Sequence, residues 1–162
     1  MILSAFTLFH VILSLVGIGS GFVVTYGLLE SKRLDRWTAV FLSTTALTSV
    51  TGFLFPVRHF MPSHGVGIVS LIVLAFAILA RYRYRLAGAW RRTYAVTAVV
   101  ALYLNVFVLI AQLFMKVPAL RALAPTQSEG PFKLSQLAAL AIFAALAVRA
   151  AMKFHAESPR TA

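Results

Sequence analysis

Histidine is the residue type with the widest chemistry in this sequence, and it occurs at four positions: His10, His59, His64 and His155. An imidazole ring can ligate haem iron or a transition metal, and it exchanges a proton near neutral pH. Cysteine is absent, which excludes thiolate metal sites, disulfides and thiol redox catalysis. Any cofactor or metal chemistry must therefore be sought first at the histidines, whose placement depends on the helices that carry them.

The sequence is too apolar for a soluble domain. Of its 162 residues, 60% are hydrophobic and 12% are charged, and the mean hydropathy is +0.89, as in polytopic membrane proteins. A helix of about 20 apolar residues crosses roughly 30 Å of hydrocarbon. The sequence predicts an all-α, single-domain transmembrane helical bundle with five spans: 2–29, 37–57, 64–80, 93–115 and 132–150.

Lysine and arginine predict the orientation of the spans. If the N-terminus is outside, eleven of these residues lie on the cytosolic side and four lie outside, as the positive-inside rule requires. Without the fifth span the distribution is eight against seven, so five spans are favoured. We therefore expect a cytosolic C-terminus and one substantial external loop, 116–131. Membrane orientation then explains the net charge of +11 better than nucleic-acid binding does.

An alternating run of arginine and tyrosine, RYRYR at 81–85, follows the third predicted span. Cationic and amphipathic aromatic side chains of this kind favour the headgroup level on the cytosolic side of a membrane. We interpret the run as an anchor that sets the topology and has some affinity for anionic lipid.

Small and polar residues mark the helix faces that should pack against each other. Gly17 and Gly21 form a GxxxG pair in the first span, which lets another helix approach closely. That helix could belong to the same bundle or to a second copy in a homo-oligomer. In the fourth span, Asn105 and Gln112 lie seven residues apart on one face. We expect both amides to face the interior, because amides need hydrogen-bond partners in hydrocarbon.

The sequence lacks the signatures of the common catalytic sites. None of its four acidic residues falls inside a predicted span, which disfavours a proton-coupled transporter. It has no P-loop, HExxH or GxSxG motif, the patterns typical of phosphoryl transfer and hydrolysis. We therefore assign no catalytic residue, and an enzyme is not the favoured class.

Three histidines fall in the outer half of the predicted topology, and Gln112 should lie at the level of His10 and His64. These positions predict a cofactor site formed by His10, His64 and Gln112, with a b-type haem held between the two histidines. A quinone bound by His10 and nearby aromatic residues is an alternative. A metal site would use His10, His59 and His64. Helix capping and interfacial hydrogen bonding are the structural explanation for the same residues.

Three segments resemble parts of small, uncharacterised multi-pass membrane proteins of bacteria: TTALTSVTGFLFP at 44–56, PSHGVGIVSL at 62–71 and LYLNVFVLIAQLFMKVPALRALAPTQSEGPF at 102–132. The resemblance covers most of the chain beyond the first span. It implies a bacterial inner (plasma) membrane, but it implies no activity and no functional residue.

The sequence leaves three functional hypotheses. The first is a non-catalytic accessory or interaction protein, whose helix faces and external loop contact lipid and a membrane protein partner. The second is a membrane redox protein that binds haem, a metal or a quinone through the outer histidines. The third is a small solute channel or facilitator lined by Thr48, Asn105 and Gln112.

Overall fold

The computed structural model describes residues 2–155, which form a bundle of helices. The helices are, in chain order, α1 (Ile2–Leu29), α2 (Asp35–Gly52), α3 (Pro62–Ile78), α4 (Trp90–Lys116), α5 (Pro118–Leu123) and α6 (Gly130–Lys153). A π-helical turn, Leu79–Arg83, continues α3. No strand occurs within residues 2–155, and the predicted all-α fold class is confirmed.

Four of the helices are long and apolar enough to cross a membrane, as a multi-pass membrane protein requires: α1 from Leu3 onward, α3 together with the π-helical turn, α4, and α6. α2 is not among them. It begins with Asp35 and Arg36, and it contains seven serine and threonine residues, which lower its hydropathy. The number of strongly apolar helices is therefore one fewer than the five predicted spans.

α1 and α2 lie side by side and run antiparallel. A Cβ atom built at Gly17 of α1 would lie 3.3 Å from the hydroxyl oxygen of Thr45 in α2. One turn further along α1, a Cβ atom at Gly21 would lie 2.9 Å from the Phe41 ring of α2. Residue numbers rise along α1 as they fall along α2, so the two helices are antiparallel and in close contact.

α4 occupies the centre of the bundle, where it contacts α1, α3 and α6. Its buried positions include Ala95, Ala98, Val99, Ala101 and Leu102. The alanines among them let the neighbouring helices approach closely. Close approach maximises van der Waals contact, which drives helix association in a lipid bilayer because the hydrophobic effect does not act there. The core of the bundle therefore lies along α4.

The bundle has two ends of different chemistry. One end gathers the end of α1, the start of α2, the π-helical turn, the start of α4 and the end of α6. We call it the basic end, because its described residues include Lys32, Arg33, Arg36, Arg81, Arg83, Arg85, Arg91, Arg92 and Lys153. The opposite end, which we call the histidine end, carries His10, His59 and His64 together with α5.

The predicted second span, 37–57, is helical only as far as Gly52. Proline explains the early end, because Pro56 has no N–H to donate to the Gly52 carbonyl and it disfavours helical geometry at Phe55. Residues 53–61 form an irregular connection to α3. Within the predicted loop 116–131, the residues from Pro118 to Leu123 form the short helix α5.

Candidate functional site

One side-chain hydrogen bond in the middle of the bundle joins two helices. The Asn105 amide of α4 donates to the Thr45 hydroxyl of α2 over 3.1 Å. Gly17 of α1 faces this pair, since a Cβ atom there would lie 3.3 Å from Thr45 Oγ1 and 3.7 Å from Asn105 Nδ2. Three helices therefore meet at one partly buried hydrogen bond, and Asn105 faces the interior as the sequence predicts.

The GxxxG face of α1 packs against other helices of the same chain. Gly17 and Gly21 are both buried. At Gly21 a Cβ atom would lie 2.6 Å from Leu102 Cδ1 of α4, a separation that atoms in real structures do not tolerate. A second copy could reach this face only if α2 and α4 moved away. The contacts thus support packing within the bundle as the use of this pair.

Other amides and hydroxyls in the helices join neighbouring elements. Ser49 of α2 donates to Ser70 of α3 over 3.2 Å, and Gln136 of α6 donates to the Phe107 carbonyl of α4 over 3.1 Å. Gln112 is half-buried and makes no side-chain hydrogen bond within residues 2–155. It lies in the last turns of α4, and within residues 2–155 no histidine bonds to it.

His10 lies on α1, beside the last turn of α2. Its Nδ1 atom is 2.8 Å from the Thr51 hydroxyl oxygen. That hydroxyl also lies 2.7 Å from the Leu47 carbonyl, to which it donates, and the tautomer of His10 that complements this bond carries its proton on Nδ1. The neutral ring then has a free lone pair on Nε2. A histidine oriented through its other nitrogen in this way is suited to ligate a metal or to accept a proton.

Two phenylalanine rings complete the surroundings of His10. The Phe55 ring meets His10 edge-on, with ring centroids 5.1 Å apart. The Phe6 ring lies 5.0 Å from Phe55. The aromatic neighbours that the quinone hypothesis requires are therefore present, and they come from α1 itself and from the connection that follows α2.

His64 is buried in the first turn of α3, and it caps that helix. Its Nδ1 atom accepts the backbone N–H of Met61 over 2.9 Å, which satisfies a group that the helix leaves unpaired. Because Nδ1 accepts, the proton of the neutral ring lies on Nε2 and no lone pair remains for a metal. His64 in this arrangement does not fit haem iron or a metal ion, and the capping explanation fits it.

The remaining predicted metal ligand, His59, is exposed in the connection before α3. It shares with His64 an open surface depression of about 290 Å³, whose other lining residues are Val57, Arg58 and Phe60. His10 has different neighbours, at Thr51 and Phe55. Within residues 2–155 no group of three histidine, aspartate or glutamate side chains is arranged to hold a metal ion. The structure therefore places His59 and His64 at one depression, and within residues 2–155 no hydrogen bond or ring contact joins either of them to His10.

Arg81 at the basic end is the residue whose environment the sequence does not indicate. The RYRYR run predicts a side chain at the headgroup level, yet Arg81 is only 3% exposed. Its guanidinium pairs with the Asp35 carboxylate and donates to the Arg33 carbonyl over 3.3 Å. The guanidinium also lies 5.2 Å from the centroid of the Tyr94 ring, close enough for a cation–π contact. A buried cation thus joins the π-helical turn to α2 and α4.

The π-helical turn gives a physical reason for this burial. A π turn widens the helix and rotates the side chains beyond it relative to an α-helix. Arg81 is buried as a result, while Tyr82 and Arg83 are exposed. Nη1 of Arg81 is buried without a hydrogen-bond partner. The only sequence signal for this pairing is Asp35, which is one of just four acidic residues in a chain with fifteen basic ones.

The residues that end α6 contact two other parts of the basic end: the turn after α1, and α4. Ser31 donates through its hydroxyl to the His155 carbonyl over 2.7 Å, and the His155 N–H donates back to the same oxygen over 2.8 Å. The Arg91 guanidinium of α4 contacts the Phe154 carbonyl and the His155 ring. The fourth histidine therefore helps to hold α6 against α1 and α4 at the basic end. The other three histidines lie at the opposite end of the bundle.

Comparison with known proteins adds no assignment to this geometry. No family model, curated protein or solved structure matches the chain.

Proposed function

We propose that the chain is a five-span protein of the bacterial inner membrane, with its N-terminus outside and its C-terminus in the cytosol. The support comes from α2, which packs against α1 on one side and α3 on the other. Asp35 at its start pairs with Arg81 at the end of the α3 segment, and Ser49 near its end bonds Ser70. α2 thus runs the length of a bundle whose other long helices are apolar enough to span.

The hydroxyl groups of α2 do not prevent it from crossing a bilayer. Ser43, Thr44 and Thr51 each donate to the carbonyl of the residue four positions earlier, over 2.6 to 2.7 Å. Hydroxyls bonded to their own helix in this way are largely satisfied in hydrocarbon. From Trp37 to Gly52 the helix rises about 24 Å. The apolar residues that follow it, including Phe53 and Leu54, supply the remaining depth.

The biochemical role that we propose is non-catalytic, that of an accessory or interaction protein in the membrane. One observation carries it: the amides and hydroxyls within the helices bond mostly to backbone or to another helix, as Asn105 does to Thr45, and within residues 2–155 the exceptions among buried oxygens are Thr48 Oγ1 and Gln136 Oε1. A reactive or conducting site would instead need polar groups that converge on a cavity. Intramembrane polar groups that bond across helices act as interhelical contacts, and they fix the bundle as a rigid unit.

The external segment between α4 and α6 offers a surface for such interactions. α5 has no buried residue, and Leu123 is exposed at its end. The turn that follows is ordered by Glu129, which accepts the Thr126 hydroxyl over 2.7 Å. This hydrogen bond holds the pKa of the Glu129 carboxyl below its usual range. The segment therefore has a defined conformation and an exposed surface outside the proposed spans.

The proposal predicts that the purified protein has no absorbing cofactor. We expect no Soret band in the detergent-purified full chain, either oxidised or after dithionite reduction, and no stoichiometric metal by elemental analysis. The reason is that His64 uses its acceptor nitrogen in helix capping, so a bis-histidine site with His10 does not form. The measurement is an absorption spectrum with metal analysis on the same sample.

His10→Ala is the control for that experiment, because Thr51 holds the His10 ring through Nδ1 and Nε2 makes no hydrogen bond within residues 2–155. A Soret band that shifts on reduction in the unaltered protein, and that disappears in His10→Ala, would contradict the non-catalytic role. It would favour a redox protein of the second hypothesis.

A further inference from the structure

The basic end carries an open depression of about 500 Å³, lined by Leu86, Gly88, Ala89, Arg91 and Arg92. Its volume falls within the range of roughly 300–1,000 Å³ that is usual for ligand pockets. We propose that this depression binds the phosphate headgroup of an anionic phospholipid. The inference rests on the proposed function only in requiring that the helices lie in a bilayer.

Local backbone geometry builds the depression between the π-helical turn and α4. Arg85, Leu86 and Gly88 adopt left-handed conformations, with φ of 49°, 60° and 55°. These conformations form a tight turn in the chain. Within it, the Leu86 N–H donates to the Ala80 carbonyl of the π-helical turn over 2.9 Å. Leu86 is only 4% exposed. The reversal is therefore anchored to the bundle, and the depression has a fixed apolar wall.

Within residues 2–155, no carboxylate contacts the arginines that line the depression. No acidic residue occurs between Asp35 and Glu129 in the sequence. Within residues 2–155, the arginines that contact a carboxylate are Arg33 and Arg81, and both use Asp35. Arg92 is exposed at the depression. The surplus of cations is therefore local to this end and is available to an anion.

The chemistry of the lining fits a phosphate. A guanidinium is a planar fork that donates two parallel hydrogen bonds to phosphate oxygens. The Arg91 guanidinium is held in place by the Phe154 carbonyl, and the neighbouring Arg92 side chain remains free to complete the contact. Tyr84 and Trp90 stack with parallel rings 4.1 Å apart beside the depression. Stacked amphipathic rings are typical of the headgroup level of a membrane.

The surroundings favour a lipid over free phosphate as the source of that group. Further along α3 and α4, away from the basic end, Ile78 and Val96 are exposed apolar residues. An acyl chain can lie against such surfaces while its headgroup occupies the depression. A soluble phosphate would gain nothing from them, so the apolar neighbours discriminate between the two ligands.

Native mass spectrometry of the full chain in detergent tests this proposal with defined lipids. We expect dioleoyl phosphatidylglycerol to bind about tenfold more tightly than dioleoyl phosphatidylcholine, because both phosphates are anionic but the choline cation cancels the net charge of the second headgroup and repels the arginines. Arg92→Gln should remove most of that preference, and Arg92→Lys should retain part of it. Ala89→Leu fills the depression without changing the charge, and it should weaken phosphatidylglycerol binding as well.

Arg36→Gln is the matched control, because Arg36 is an exposed arginine of the same end outside the depression. It should change phosphatidylglycerol binding by less than about twofold. Equal losses in Arg36→Gln and Arg92→Gln, or equal binding of the two lipids, would overturn the proposal. Displacement of the lipid by millimolar inorganic phosphate would overturn the lipid assignment in favour of a soluble ligand. Because the readout uses solubilised protein, its outcome does not depend on the orientation proposed for the chain.

Discussion

Asp35→Asn is expected to destabilise the bundle more than Arg81→Met does, although the two residues form one ion pair. The Asp35 side chain is 72% exposed, whereas that of Arg81 is 2% exposed. Removing the carboxylate leaves a buried cation without its counter-ion, and losses of about 3–5 kcal/mol are typical of fully buried pairs. We expect about 2 kcal/mol here, since water screens the exposed partner.

Arg81→Met should cost less than about 1 kcal/mol, because an apolar side chain of similar length fills the site and leaves Asp35 in water. The double variant should be more stable than Asp35→Asn alone. The measurement is the free energy of unfolding in mixed micelles of dodecyl maltoside and dodecyl sulfate. Arg36→Gln, which changes an exposed neighbour of Asp35, is the control and should have little effect. If Arg81→Met proved the more damaging single change, the ion-pair argument would be wrong.

Gly21→Ala is expected to lower the free energy of unfolding by about 1–2 kcal/mol. The new Cβ atom would lie 2.6 Å from Leu102 Cδ1 and 2.9 Å from the Phe41 ring. Overpacking of a filled core typically costs about 1–3 kcal/mol, and the higher helix propensity of alanine recovers part of it. Gly21→Leu should prevent the bundle from closing, with loss of folded protein in detergent.

Gly19 provides the matched control for this prediction, two residues away on the same helix. It is exposed, and a Cβ atom there would meet nothing within 4 Å. Gly19→Ala and Gly19→Leu should therefore leave stability unchanged or raise it slightly. Thermal melting of the four variants in one detergent makes the comparison. Similar losses at both positions would show that glycine at 21 is needed for helix geometry rather than for contact with α2 and α4.

Helix positions were predictable because hydropathy and proline act locally along the chain. The pattern places α1, α4 and α6 within a few residues of their observed bounds, and Pro118 marks the start of α5. The end of α2 at Gly52 was predicted five residues late. Residues 53–57 continue the hydropathy of the span, but Pro56 lacks the N–H that would bond the Gly52 carbonyl and restricts Phe55, so the helix ends before them.

Side-chain pairings were less predictable because they depend on how helices rotate against each other. The spacing of Asn105 correctly predicts an inward amide, but only packing selects Thr45 as its partner. The sequence gives His10 and His64 the same level and chemistry, whereas hydrogen bonds to Thr51 and Met61 leave them with opposite tautomers. The burial of Arg81 depends on the π-helical turn, which has no recognisable signature in the sequence.

The central claim is that α2 crosses the membrane, which places the two ends of the bundle on opposite sides. The chain has no cysteine, so single cysteines can be introduced without background labelling. Glu30→Cys reports on the basic end, while His59→Cys and Ser128→Cys report on the histidine end, and all three positions are exposed. The reagent is a membrane-impermeant maleimide, applied to intact and to permeabilised bacterial cells that express each variant.

Five spans with an external N-terminus predict that His59→Cys and Ser128→Cys react in intact cells, and that Glu30→Cys reacts only after permeabilisation. If α2 stayed on the cytosolic side, all three cysteines would be protected until the cells were permeabilised. That result would contradict the account. Labelling of Glu30→Cys alone in intact cells would instead keep the five spans and reverse their orientation.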